Sequence, residues 1–353
     1  MIAEAIQRKR PPADDIQAKR SVVKTKLAQY EQPDTRKAIW QLANTLIPYA
    51  GLWVLMAHLI KQGASLVSIL PLTVLAAGFL VRVFIFFHDC GHKCFFPISR
   101  ANKVVGNICG ILTFTPFNEW TDRHADHHAH AGNLDKRGIG DVWTLTTEEF
   151  RNLSRRGQIG YQLYRNPLVL FVLGPIWLFF IRQRWAHKDS SADARKSIKL
   201  TNVGLIGLCL LGHVTLGLRT FLEIQLPIMV FAAMFGVWLF YVQHQFERVY
   251  WAHKAEWDVY QAGMEGSSYY KLPKILQWFS GNIGLHHIHH LKSKIPNYNL
   301  QRAIDEVAEA REIVPLTFSR SLKSAFLKLW DEDSRQMVSF RELRRMDRAS
   351  ARK

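Results

Sequence analysis

Cysteine is scarce in this chain. There are four among 353 residues, Cys90, Cys94, Cys109 and Cys209, and none forms a C-x-x-C pair. They read as reduced, small, semi-apolar residues, not as a dithiol or a thiolate metal motif. Internal repeats and low-complexity tracts are missing too. No cleavable signal peptide is expected, because the chain is charged as far as Lys37 and the first apolar run is long and lies far in. Charge itself is almost missing from long central runs, while both ends are rich in Arg and Lys. A mean hydropathy of −0.06 hides that contrast. The pattern excludes an ordinary soluble globule and indicates several membrane spans with polar caps. The net charge of +17 flanks apolar segments, where positive residues mark the cytoplasmic side and meet anionic head groups. Nucleic acid is therefore not an expected partner.

Residues 1–38 are polar, with Pro11-Pro12 and Pro33, and read as a cytoplasmic tail, partly helical or disordered. Residues 39–61 and 66–87 form two spans joined by a short break at Lys61-Gln62-Gly63, hence an antiparallel hairpin that delivers His88 to the surface. Arg82 lies inside the second span, where it either snorkels to the interface or meets a carboxylate or head group. Residues 101–117 and 166–181 are apolar but short and interrupted by Gly, Asn and Pro, so they read as partial or interfacial segments. Residues 132–165 are polar, with Asp135, Lys136, Arg137 and Asp141, and read as a lid or surface. Residues 182–199 are strongly basic, and 200–218 and 221–243 form a second hairpin around Arg219-Thr220. The expected fold is an all-α integral membrane protein: four transmembrane helices in two hairpins, two partial helices and a cytoplasmic helical cap that carries the metal site. Six full spans are the competing topology, but they would strand one histidine cluster on the opposite side. The corresponding domains are 1–38, a membrane domain 39–300, and an amphipathic C-terminal segment 301–353.

The chemistry lies in three histidine runs beside these apolar segments. His88 and His92 are four apart, so a helix stacks them on one face. His124, His127 and His128 have offsets of three and four, and His286, His289 and His290 repeat them. His244, at the end of the last span, is a ninth candidate. Neutral imidazole is the commonest protein ligand for borderline metals. One zinc takes four ligands, so this number fits two ions. Spacing alone leaves zinc, copper, nickel and iron open. Asp89, Asp126 and Glu247 are candidates to hold the outer ring N–H groups. His58, His130, His187, His213, His253 and His287 read as ordinary histidines.

The H-x-x-x-H, H-x-x-H-H, H-x-x-H-H series resembles the membrane fatty acid desaturase family. Residues 135–138, 164–167, 240–247, 266–273 and 281–298 resemble its bacterial acyl-lipid branch, of Δ5, Δ12 or omega-6 type, and the likeness runs from about residue 40 to 345. The resemblance implies two non-haem iron ions, with His88, His92, His124, His127, His128, His286, His289 and His290 as box ligands and His244 as the extra one. It implies O2 as oxidant, a separate electron donor such as a ferredoxin or a flavin-linked reductase, and removal of two hydrogens from a membrane-lipid acyl chain. A bacterial inner membrane, with the boxes on the cytoplasmic face, is the implied location. Acyl-CoA desaturases have asparagine four residues before the extra histidine, where this chain has Phe240; Asn282, four before His286, is a candidate substitute through water. No His-Pro-Gly-Gly haem segment is present to replace the separate donor. A di-iron hydroxylase or carotenoid ketolase-type oxygenase is the alternative enzyme, and a membrane metal-binding or transport protein the alternative of another class.

Overall fold

The structure, a computed structural model, describes residues 13–138 and 140–352. Residues 1–12, with Pro11-Pro12 of the expected tail, lie outside the described residues, as do 139 and 353. The chain opens with α1 (Ala13–Ala28) and continues into α2 (Thr35–Lys61). Asp34 fixes the start of α2 by accepting from the Arg36 and Lys37 amides. A short turn leads to α3 (Leu70–Gly91), which has Pro71 in its first turn. The first span thus begins at Thr35 rather than 39, and the second ends at Gly91 rather than 87. His88 is consequently inside the last helical turn and is buried. It is not delivered to the surface, because later segments close over the end of α3.

The expected partial segment 101–117 is two helices, α4 (Ser99–Leu112) and α5 (Phe117–His130). The chain breaks between them where Thr115 donates back to the Gly110 carbonyl at 2.7 Å and Phe114 takes a positive φ of 56°. At 14 residues, α4 is about 21 Å long, too short to cross. Gly106 lets the Phe117 ring close on α4, since a Cβ there would lie 2.3 Å from the ring. After β1 (Leu145–Thr146) and α6 (Thr147–Asn152), helix α7 (Arg155–Tyr164) bends by 56° into the segment Val169–Arg184. That segment has wide π-type turns on both sides of α8 (Gly174–Ile176), and is the second expected partial element.

The second hairpin is α9 (Ala192–Leu216) and α10 (Leu218–His244). It turns at Gly217, with φ of 82°, not at Arg219-Thr220. Only glycine adopts that conformation cheaply, and Leu218 already starts the next helix. Among the described residues, four helices are long and apolar enough to cross a membrane, α2, α3, α9 and α10, and the bent pair of α7 with Val169–Arg184 would make a fifth if it were one span. Arg82, buried in α3, donates to Thr45 Oγ1 at 3.1 Å and to the Trp278 carbonyl, and stacks 4.1 Å from the Trp278 ring. It is buried rather than snorkelling and has no carboxylate partner among the described residues; a neighbouring spanning helix and the cap satisfy it.

The remaining chain builds the cap: α11 (Val259–Met264), β2 (Tyr270–Lys271), α12 (Lys274–Phe279), α13 (His286–Leu291), α14 (Asn297–Glu306), β3 (Leu316–Thr317), α15 (Phe318–Ser324), β4 (Leu329–Asp331), β5 (Gln336–Val338) and α16 (Phe340–Ser350). Its short strands, absent from an all-helical expectation, form a β1-β4-β5 sheet and a parallel β2-β3 pair. Helix α1 is docked: Val23, Leu27 and Tyr30 are buried with Ile288, Leu300 and Ile304, and Tyr30 donates to Glu306 at 2.6 Å. Helix α14 runs across residue 300, where a domain boundary was expected.

Candidate metal centre

Four helix ends converge where the spans meet the cap. His88 lies in the last turn of α3 and His92 at its cap. His124, His127 and His128 come from α5, His244 from the last turn of α10, and His286, His289 and His290 from α13. The nine rings form two groups. One is His88, His92, His124, His128 and His289; the other is His127, His244, His286 and His290; within each, one ring nitrogen per residue lies within 4.8 Å of the rest. The groups adjoin, with His128 of the first stacked on His290 of the second at 4.2 Å. In each H-x-x-H-H run the outer pair, four apart, serves one group and the middle histidine the other. Successive helical residues point about 100° apart, so neighbouring histidines are turned toward different centres.

The separations test whether ions fit. Nε2 atoms face each other at 3.1 Å for His127 and His244, 2.9 Å for His244 and His286, 3.1 Å for His286 and His290, 3.1 Å for His124 and His128, and 3.0 Å for His128 and His289. The His88 and His92 Nε2 atoms are buried without a partner. Burial, and then the neighbouring imidazoles, hold His124, His128, His286, His289 and His290 well below the ordinary histidine range. Neutral rings can turn lone pairs toward one point, and lone pairs so close repel unless a cation sits among them. Two nitrogens bound at about 2.1 Å and at right angles lie about 3.0 Å apart, against about 3.4 Å in a tetrahedron. The spacing is close enough for each group to gather round one ion.

Three of the nine rings, His88, His127 and His244, have their outer nitrogen held as metal-binding imidazoles usually do, whereas His286 Nδ1 is buried without a partner. His88 Nδ1 donates to Asp89 at 3.1 Å, and Asp89 also accepts from the Asn297 backbone at 2.7 Å and its side chain at 2.9 Å. His127 Nδ1 donates to Asp141 at 2.6 Å, and His244 Nδ1 to the Gly266 carbonyl at 3.1 Å. The Trp120 ring stacks on His124 at 4.2 Å, and Phe240 lies 5.3 Å from His127 and 5.5 Å from His244. These aromatics wall the groups.

Of the carboxylates singled out in the sequence, Asp89 reaches a ring. Asp126 is exposed, one residue before His127, and only its backbone carbonyl is engaged, by His130. Glu247 is exposed and lines a cavity of about 810 Å3 in the cap, away from the imidazoles. Both helix geometry and the turn after α10 point these side chains outward. Asn282 donates to the Asn297 carbonyl at 3.0 Å, so its link to the site runs through Asn297 and Asp89. Asp141 and Gly266 were missed as ring partners. Both are remote in sequence from the histidines they hold, and no spacing signals them. His287 turns away, its Nε2 on the Ala310 carbonyl at 3.0 Å, and His253 pairs with Asp135 at 2.7 Å.

Apolar helices long enough to cross a membrane, ending in two adjoining all-imidazole groups, define a class of membrane proteins whose histidines could hold a pair of metal ions. Comparison with known proteins narrows the class. A family model for fatty acid desaturases matches residues 64–319. The chain is similar to a fatty acid desaturase of Bacillus subtilis (strain 168), 45% identical over 329 residues that cover 93% of each protein. More distantly it is similar to an sn-1 oleoyl-lipid 12-desaturase of Synechocystis, 25% identical over 68% of each chain, and to an omega-3 fatty acid desaturase of the endoplasmic reticulum of Vigna radiata, 25% identical over 63% of this chain and 60% of that one. The chain belongs to the fatty acid desaturase family.

Proposed function

We propose that the protein introduces a cis double bond into the acyl chains of membrane lipids, using O2 and two iron ions. The observation that carries this reading is the five-plus-four division of nine imidazoles at the end of a membrane bundle. His88, His92, His124, His128 and His289 would hold one ion, and His127, His244, His286 and His290 the other. Membership of the fatty acid desaturase family supports iron, and five and four imidazoles together exceed what one zinc takes. An unactivated methylene has no acidic proton and no leaving group, and two irons held by these histidines would supply the reductive activation of O2 that side chains lack.

The chain's own residues do the rest. Asp89, Asp141 and Gly266 aim the rings. Trp120 and Phe240 exclude water from the ring groups, which favours oxidation of the lipid chain over side reactions. Two hydrogens leave the acyl chain, and O2 becomes two waters with two further electrons from a donor and two protons from water. That donor is a separate protein, of ferredoxin or flavin-linked type, drawn to a basic face. Residues 39–300 are the catalytic membrane domain on this reading, with 1–38 and 301–353 as its cytoplasmic flanks. Basic loops beside the spans support a cytoplasmic side for the boxes, in a bacterial inner membrane.

Expression in a host without the corresponding double bond, followed by gas chromatography of total fatty acids, tests the function. A new unsaturated species that requires O2 and His127 is expected. An unchanged profile from folded, iron-loaded protein would overturn the assignment, and incorporation of oxygen into the product would select a hydroxylase.

A further inference from the structure

Helix α15 has its polarity reversed relative to a water-facing cap helix. Its protein side is made of small and polar residues: Ser321 and Ser324 are 0% and 2% exposed, and Ser321 bonds the Tyr270 hydroxyl at 2.9 Å. Its outer side carries Phe318, Leu322 and, just past the helix, Phe326, which are 47%, 51% and 64% exposed. Their spacing of four keeps them on one stripe. Exposed Arg320 and Lys323 lie along one side of that stripe, where they and Phe326 also border the cap cavity of about 810 Å3. A helix in water would bury the phenylalanines and expose the serines.

The position of α15 says what covers the stripe. The carbonyls of Ser324 and Leu327 accept from the Tyr241 hydroxyl at 3.0 and 2.9 Å, and Tyr241 is in the last turn of the spanning helix α10. Strand β3, which leads into α15, pairs with β2, which leads into α12. Helix α12 packs against the spanning helix α3 at depth: Phe279 meets Phe79 at 5.2 Å and Trp278 meets it at 5.8 Å. Phe79 is nine residues before His88, or about 13 Å further into the bundle. Ile275 and Leu276 of α12, and Leu168 and Leu173 near α8, are exposed as well, and Leu316 of β3 packs with Leu170, Tyr241 and Leu272. The outer stripe of α15 therefore continues the lipid-facing belt of the spans.

We infer that α15 is a membrane-surface anchor: Phe318, Leu322 and Phe326 enter the boundary between head groups and acyl chains, and Arg320 and Lys323 meet the phosphates of anionic lipids. The cap is thereby held on the bilayer at a second place, beside the spans.

The full chain carrying Cys209→Ser and Leu322→Cys, labelled with an environment-sensitive fluorophore at the new thiol, is reconstituted one copy per nanodisc in phosphatidylglycerol-containing lipid. The control label sits at Asp333→Cys, at the exposed tip between β4 and β5. Lipid with a shallow spin label on the acyl chain should quench the label at 322 and leave the control unquenched, because an interfacial apolar face sits about 5–10 Å into the boundary of head groups and acyl chains. Aqueous iodide should do the reverse. Iodide quenching at 322 equal to the control, or resistance to both quenchers because another protein surface covers the stripe, would overturn the inference. Neither readout depends on catalysis, so the outcome is separate from that of the desaturation test.

Discussion

Asp141 offers a test of how the two ion groups are held. Its carboxylate accepts from His127 Nδ1 at 2.6 Å, and its other oxygen is buried without a partner. His127 is therefore the main recipient of that charge. Removing the carboxylate with Asp141→Ala frees the ring to rotate away from His244 and His286. Loss of such a partner weakens metal retention by about 10–100-fold, each tenfold being about 1.4 kcal/mol. Asp141→Asn keeps an oxygen acceptor but loses the charge. A charge-assisted bond contributes about 1.5–3 kcal/mol and a neutral one about 1, so the loss should be near the lower end. The assay is metal content of purified protein after dialysis against graded chelator, with desaturation measured in parallel. Asp126→Ala is the control, because that side chain is exposed and one residue away from His127. Equal metal retention in Asp141→Ala and the unaltered protein, or equal loss in Asp126→Ala, would refute the reasoning.

Four further outcomes are expected. His127→Ala should lower bound metal from about two ions to about one per chain and abolish turnover, since the five-histidine group stays whole, while His187→Ala should change neither; elemental analysis decides. Stripping metal with chelator should lower Tm, and returning it should restore Tm, because ions bind the folded site alone; a Tm indifferent to metal would contradict the paired-ion site. Gly212→Ala should destabilise the second hairpin by about 1–3 kcal/mol, as its Cβ would lie 2.1 Å from the Phe221 ring; unchanged thermal unfolding in detergent would count against that packing. Lys328 is buried with its Nζ donating to the Arg165 and Ala325 carbonyls, and burial followed by the Arg165 charge pushes its pKa from 10.5 down to about 7. Between those values the unfolded chain binds a proton that the folded chain does not, so stability should rise with pH from about 7 to about 10.5; Lys328→Met should flatten that slope, and an unaltered slope would refute the assignment.

The sequence by itself determined the spans, the hairpins and the histidines. Long uncharged runs admit few structures besides membrane helices, and H-x-x-H-H at helical spacing admits few roles besides ligation. Helix ends were less legible: Asp34, Pro71 and Gly217 shift them by a few residues, because caps and positive-φ turns depend on single side chains. The division of the histidines was not legible at all. Spacing placed His124, His127 and His128 on one face, and only the convergence of α3, α5, α10 and α13 decides that His127 leaves its neighbours to join His244, His286 and His290. Asp141 and Gly266 as ring partners, and the docking of α1 on the cap, were equally out of reach. They are contacts between segments far apart in the chain, and local periodicity carries no information about which remote group a side chain will meet. Membrane insertion is decided residue by residue along the chain, whereas the metal centre exists only where four separate helix ends are packed together.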